Sequence, residues 1–340
     1  MSATVRSVVL TEYGDLEKIK VMDWPINLNL RTKELEVKVS ICGVNFADVY
    51  TRLGFLPHLE TPRVLGLECV GTVVNVGLEV EKFKKGQRVL CYRWTGGLYQ
   101  ERVVVHEKYC YVVPDDLTDT ELVCLPSQYL TAYLSLFDFG NLRPNQSVLI
   151  HSCVGGVGCA AVQLCQTVKN VTIHGTTSEA KFEIAKSKGV HHVFHVNDLN
   201  KQNHRYDIII DPIGGAFSVI NQSLLRPLGR SVLIGANSTI GSKEPPPKNT
   251  VEELDLVMNN KAVCGLHVGL LCENAPQRLN DIMEDLFKMC RDKEIEPVIH
   301  DTYSFDEIHT AQKELLERRN VGKVLLKPYL VEKLQQLPCI

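Results

Sequence analysis

Short apolar runs separated by turn residues fill roughly the first 115 positions. Glu34-Leu35-Glu36-Val37-Lys38-Val39 alternates polar and apolar at every step, the period of a strand with one face buried. Val70-Gly71-Thr72-Val73-Val74 and Arg102-Val103-Val104-Val105 are β-branched, and Gly54, Gly77 and Gly86 punctuate the runs. Helical periodicity is scarce in this stretch, so the pattern predicts a small all-β, barrel-like domain.

From about residue 127 the period changes to short apolar strands separated by helical stretches, which predicts a parallel sheet with crossover helices. The strands fall at Val148-Leu149-Ile150, Val171-Thr172-Ile173, His192-Val193-Phe194, Ile208-Ile209-Ile210, Val232-Leu233-Ile234 and Ala262-Val263-Cys264. Six is the strand count of the doubly wound dinucleotide fold. Beyond residue 265 an amphipathic helix is expected around 279–287, and another begins near Ser304, where Ser304 and Glu307 have capping-box spacing. A last strand at Gly322-Lys323-Val324-Leu325-Leu326 ends a tail too small for a domain of its own, which is expected to complete the N-terminal one. The proline run at 245–247 predicts a surface loop.

Composition narrows the function classes. The 340 residues, 44% of them hydrophobic, are too many for one comfortable core and imply two domains. A net charge of -3 gives no broad basic field for nucleic acid or an acidic membrane, which leaves small molecules as the expected partners. No apolar run is long enough to span a bilayer, and Met1-Ser2-Ala3-Thr4-Val5-Arg6 carries no signal-peptide core, so a cytoplasmic protein is expected. Twelve cysteines without a CxxC pair read as reduced, mostly buried thiols.

The strongest chemical signal is Cys153-Val154-Gly155-Gly156-Val157-Gly158, directly after an apolar strand and directly before the helical run Ala160-Ala161-Val162-Gln163-Leu164. Gly155 and Gly156 let the backbone approach a diphosphate, Gly158 lets helix and strand pack closely, and the N–H groups from Gly156 through Val157 to Gly158 face the phosphates. Cys153 stands where the fingerprint has its first glycine. The competing reading, a tight strand-to-helix turn and nothing more, is weakened by the six-strand context. About 20 residues further on, an NAD site would offer an acid to the ribose. This chain has Gly175-Thr176-Thr177-Ser178-Glu179-Ala180-Lys181, and the hydroxyl of Ser178 with the ammonium of Lys181 suits a 2′-phosphate, hence NADPH. The alternative is that Ser178 is only a cap and Lys181 only a solvated surface residue.

These residues, read with Gly66-Leu67-Glu68, Asn45-Phe46-Ala47-Asp48 and Asn320-Val321-Gly322-Lys323-Val324, resemble the quinone oxidoreductase branch of the medium-chain dehydrogenase/reductase superfamily. Leu136-Phe137-Asp138-Phe139-Gly140-Asn141-Leu142 and Ala262-Val263-Cys264-Gly265 are similar to the family of synaptic vesicle amine-transport membrane protein homologues. The resemblance implies an α/β protein: a GroES-like β-barrel-type domain over 1–126 and 267–340, and a doubly wound parallel-sheet Rossmann domain over 127–266. It also implies homodimerisation near Val263 and allows peripheral contact with vesicle membranes.

In the zinc enzymes of the superfamily a Cys and a His hold the catalytic metal. The matching positions here are Asn45 and Leu67, and a leucine coordinates nothing, so no metal is expected. Without a Lewis acid, conjugate reduction of a quinone or enone is a more natural reaction than reduction of a simple carbonyl.

Asn45 is the first candidate on the substrate side, its amide donating to substrate or ribose; the other reading is a loop amide that satisfies nearby backbone. Tyr50 either contacts nicotinamide or substrate or packs under the following loop. The family position matched by Thr131 meets the nicotinamide, although a helical threonine also bonds its own backbone. Asn237 and Leu266 follow the fifth and sixth strands, where ligands of open α/β sheets lie. Lys323 is expected to approach the cofactor from the other domain, against a plain strand lysine. Two departures weaken the carry-over: Val196 stands where many relatives have a tyrosine for the 2′-phosphate, and Phe55-Leu56 replace the donor tyrosine of enoyl-thioester reductases. A non-catalytic nucleotide-binding protein of vesicle surfaces or lipid transfer is the competing function class.

Overall fold

Residues 3–56, 59–201, 203–240 and 251–329 are described by the computed structural model, so the proline run at 245–247 lies outside the described residues. Their strands, in chain order, are β1 (Ala3–Leu10), β2 (Ile19–Ile26), β3 (Glu34–Val44), β4 (Arg63–Val64), β5 (Glu68–Val76), β6 (Arg88–Tyr92), β7 (Arg102–His106) and β8 (Cys110–Val112), then β9 (Ser147–His151), β10 (Thr172–Thr176), β11 (His192–Phe194), β12 (Tyr206–Asp211), β13 (Leu225–Leu233) and β14 (Ala262–Gly265), and finally β15 (Ile299–Ser304) and β16 (Lys323–Lys327). The chain divides into one unit of Met1–Ser127, Gly269–Lys293 and Pro297–Ile340 and a second of Gln128–Val268 with Glu294–Glu296. The short second piece joins through the Gln163 side chain, which accepts from the Glu296 N–H at 2.9 Å and donates to its carbonyl at 2.7 Å.

In the first unit the alternating segment becomes β3, the strand on which the sheet is organised. The sheet runs β15-β16-β3-β5-β6-β8 with β7 also paired to β3, and a smaller sheet runs β2-β1-β4. β16 joins antiparallel to β3, with Val324 opposite Val44 and Leu326 opposite Cys42, so the last strand lies in this unit's sheet. Leu35, Val37 and Val39 of β3 pack with Val324, Leu326 and Phe305 in one apolar core. The Ser304–Glu307 box forms, with the Glu307 carboxylate accepting from the Ser304 N–H and hydroxyl at 2.8 and 2.7 Å. The amphipathic helix runs Pro276–Arg291, longer than its periodic stretch because a proline at the first helical position extends its start.

The helix Phe46–Arg52 departs from the all-β expectation. It starts where the Asp48 carboxylate accepts the Asn45 N–H at 2.9 Å, a local cap that outweighs the strand bias of the flanking sequence.

The second unit holds one parallel six-stranded sheet, order β11-β10-β9-β12-β13-β14. β9 pairs with β10 on one side and β12 on the other, so the winding reverses beside the end of β9. That reversal is where doubly wound sheets open a crevice for ligands.

Candidate functional site

The glycine turn begins where β9 ends at His151. Ser152 takes a left-handed conformation at φ 53°, the Cys153 N–H bonds the Thr176 carbonyl at 3.1 Å, and the helix Gly156–Gln166 follows. A Cβ on Gly158 would lie 2.2 Å from the Ser152 carbonyl oxygen and 2.7 Å from the Cys153 backbone, so the approach of helix to turn requires glycine there. A Cβ on Gly156 would meet the Gln128 side-chain nitrogen at 1.9 Å. Cys153 is tolerated at the fingerprint's first glycine position because the neighbouring strand yields the space: a Cβ on Gly175 would sit 2.5 Å from the Cys153 sulfur. The N–H groups of Gly156, Val157 and Gly158 open the helix and lack intrahelical acceptors. These features fit a diphosphate.

Most of the other cofactor candidates of this unit follow strand ends as well. Ser178 is exposed after β10 and opens the turn Glu179–Lys181, with the Lys181 N–H on the Ser178 carbonyl at 2.9 Å. Asn237 follows β13, its N–H on the Pro212 carbonyl at 3.0 Å, and Leu266 follows β14, its N–H on the Leu233 carbonyl at 2.9 Å. Thr131 lies in the helix Leu130–Tyr133, its carbonyl accepting from the Ser135 hydroxyl at 2.6 Å. Val196 does not follow this pattern of strand-end polar groups; it packs against the apolar cluster around Phe194 and Leu199.

Sequence reasoning missed a buried polar chain at the ends of β9, β10 and β12. The His151 ring bonds the Thr176 hydroxyl and the Asn221 amide oxygen, both at 3.0 Å, and the Asn221 nitrogen donates to Asp211 at 3.0 Å. The other Asp211 oxygen accepts the N–H groups of Ile213 and Gly214 at 2.8 and 2.9 Å. Burial lowers the pKa of His151 and favours the neutral ring. The signal available was a polar residue closing each of three apolar strands.

Asn45, Tyr50 and Lys323 belong to the first unit. The Lys323 side chain, expected to reach toward cofactor, is fully buried; its ammonium donates to the Asn45 carbonyl oxygen at 2.7 Å and to the Glu68 carboxylate. The Asn45 nitrogen donates to the same Glu68 oxygen at 2.8 Å and to the Gly43 carbonyl at 3.3 Å. Both ends of the carboxamide are thus used inside the unit. The second Glu68 oxygen accepts the Ser127 N–H at 3.0 Å. Gly43 makes room for this pair, since a Cβ there would lie 2.3 Å from the Glu68 carboxylate and 2.5 Å from the Lys323 side chain. Tyr50 stands between two other rings, 6.2 Å from Phe46 and 6.1 Å edge-on from Phe55.

Asp48 adds a second buried carboxyl. One of its oxygens accepts from the Asn45 N–H at 2.9 Å and lies 2.8 Å from the Tyr99 hydroxyl. Burial pushes this carboxyl up to about 6, against the hydrogen bonds from Asn45 and Tyr99 that favour its charged form. Glu68 and Asp48 were both visible in the motifs Gly66-Leu67-Glu68 and Asn45-Phe46-Ala47-Asp48; Asn45 joins them, its backbone N–H on Asp48 and its side-chain nitrogen on Glu68, and a lysine more than 250 residues away pairs with Glu68.

The positions matching zinc ligands do not fit a metal. Leu67 is a buried hydrocarbon, the Asn45 carboxamide is committed to Lys323 and Glu68, and among the described residues no group of three His, Cys, Asp or Glu is placed to hold an ion.

Two family descriptions match the chain. The family description "Alcohol dehydrogenase GroES-like domain" matches residues 31–115, and "Zinc-binding dehydrogenase" matches residues 184–326. The mouse synaptic vesicle membrane protein VAT-1 homolog is 37% identical over 95% of this chain and 84% of its own. This chain belongs to the medium-chain dehydrogenase/reductase superfamily, among the VAT-1 homologues. The crystal structure of the human VAT-1 homolog-like protein superposes with a TM-score of 0.83 at 31% identity, covering 97% of this chain and 100% of that one. A quinone oxidoreductase of Pseudomonas syringae pv. Tomato DC3000 gives 0.84 at 25% identity, over 96% and 100%. Membership makes the protein an oxidoreductase by family, on a fold that binds NAD(P)(H). Among the described residues no helix is long and apolar enough to cross a membrane.

Two measurements test the buried cluster. Replacing Lys323 with Met strands the Glu68 charge and is expected to destabilise the protein by about 3–5 kcal/mol in denaturant unfolding, with Glu68→Gln in the same chain recovering most of the loss. A loss below about 1 kcal/mol, the scale of an exposed pair, would show that the pair does not hold the unit together. For Asp48, the folded chain binds its proton more tightly than the unfolded chain, where aspartate titrates near ~3.9. This group's contribution is therefore best below about pH 4 and declines as pH rises toward 6. Asp48→Asn is expected to remove that decline, roughly 2 kcal/mol between ~pH 4 and ~pH 7, from the unfolding free energy. Identical pH profiles for the two proteins would refute a perturbed Asp48.

Proposed function

We propose that this protein is a zinc-independent, NADPH-dependent oxidoreductase that reduces quinones or α,β-unsaturated carbonyls. The observation that carries the reading is the turn from Cys153 to Gly158, whose backbone packing excludes any side chain at Gly158 and leaves the start of an eleven-residue helix for a diphosphate. The end of β10 supports the phosphorylated dinucleotide, since it offers Thr177 and Ser178 with Lys181 and no acid before Glu179.

NADPH, when bound, supplies the hydride. The chain's own residues bind and orient. The N–H groups at Gly156, Val157 and Gly158 take the diphosphate, with Gly155 shaping the turn; Ser178 and Lys181 take the 2′-phosphate; Thr131, Asn237 and Leu266 form the nicotinamide side. On the substrate side, Asn45 acts as a positioning residue that fixes Lys323 and Glu68. Tyr50, with Phe46 and Phe55, supplies aromatic surface suited to a flat, conjugated substrate. Leu67 provides no Lewis acid site, which favours substrates whose developing negative charge is delocalised over a conjugated system.

A second reading is favoured by the names of the relatives: a nucleotide-binding protein acting at vesicle surfaces, cytoplasmic and peripheral, without turnover. A homodimer is part of either reading. β14 forms one edge of its sheet, and on the nearby helix Glu253–Asn259 Leu254, Val257 and Met258 are 69–74% exposed, an apolar face suited to a second copy.

NADPH oxidation with a panel of quinones and enones separates the two readings. Turnover that Lys181→Ala slows by raising the KM for NADPH about tenfold, while barely altering that for NADH, supports the enzyme. NADPH binding without turnover on any member, together with salt-sensitive adsorption to anionic liposomes, supports the vesicle reading. For the assembly, light scattering is expected to give twice the monomer mass, reduced to the monomer by Val257→Glu with Met258→Glu; a monomeric parent protein would refute the dimer.

A further inference from the structure

Four cysteines of the first unit form a row across four adjacent strands. Cys42 of β3 stands opposite Cys69 of β5, Cys69 opposite Cys91 of β6, and Cys91 opposite Cys110 of β8. All the cysteines described are free thiols. Three members of the row are buried, and Cys110 alone is partly exposed. The row is not a metal centre, because the described residues hold no group of three ligands placed for an ion.

We propose that Cys91 and Cys110 are an oxidation site, which a peroxide converts into a reversible disulfide joining β6 to β8. Their sulfurs lie 3.8 Å apart, on directly paired residues of antiparallel strands. Such neighbours have Cα atoms ~4.5–5.5 Å apart, inside the range that a disulfide spans without moving the backbone. Closing the bond takes only side-chain rotation.

Cys110, the member of the row that water reaches, takes the peroxide oxygen. Its thiolate, formed by loss of a proton to solvent, attacks one oxygen of hydrogen peroxide, giving a sulfenic acid and a hydroxide that the released proton converts to water. The Cys91 sulfur then displaces hydroxide from the Cys110 sulfur, its own proton leaving with that hydroxide as a second water. Two thiols lose two electrons, and the peroxide is reduced to two waters. Cys91 resolves because its sulfur lies 3.8 Å from that of Cys110.

The test uses the full chain treated with one equivalent of hydrogen peroxide, alkylated, digested without reduction and read by mass spectrometry. The expected product is a peptide linking Cys91 to Cys110, with two of the twelve thiols lost and both restored by dithiothreitol. Cys110→Ser is expected to abolish the linked peptide while keeping the parent's circular dichroism and melting profile; Cys91→Ala is a second variant with the same expectation. A first link between Cys69 and Cys91, first oxidation at the partly exposed Cys264 or Cys272, or no thiol loss at one equivalent would overturn the proposal.

Discussion

A lysine ammonium with no exposure to solvent is tolerable only if its charge and protons are matched, and Lys323 is matched by Glu68 and Asn45. That requirement ties three distant stretches of sequence together. β16 brings the ammonium, β5 the carboxylate, and the loop before the helix Phe46–Arg52 the carboxamide. Gly43 has to be without a side chain because the pair occupies the space over it. The Ser127 N–H, bonded to the remaining Glu68 oxygen, extends the same network to the last residue of this unit's first chain segment.

Apolar periodicity made most of the architecture legible. The six short runs from Val148 to Cys264 became β9 to β14 in doubly wound order, and Ser304 with Glu307 marked a helix start correctly. Periodicity did not reveal the helix Phe46–Arg52, because its start is marked by a capping box between Asn45 and Asp48 rather than by an apolar stripe. It did not place Lys323 either. A lysine in a terminal strand reads as solvated or ligand-facing, and only the three-dimensional register puts Glu68 beside it.

The candidate site divides in the same way. Gly155, Gly156, Val157 and Gly158 were readable because backbone geometry restricts residue type over a few adjacent positions. Ser178, Asn237 and Leu266 could be placed after strand ends, with Lys181 closing the turn that Ser178 opens. The chain linking Thr176, His151, Asn221 and Asp211 was not, since each member alone is an ordinary polar residue and only the parallel pairing of β9 with β10 and β12 aligns them. The alternative of an Asn45 amide that satisfies nearby backbone was legible, but its partners Glu68 and Lys323 were not.

The exchange of volume between Cys153 and Gly175 has a wider meaning for recognising such turns. Smallness at the strand end is a joint property of two neighbouring strands, so either one can supply it. Evolution is then free to move the glycine sideways in the sheet, and a fixed pattern of glycines along one strand will overlook chains that have done so. The signature to look for is a pair in which enlargement on one strand accompanies shrinkage on the other.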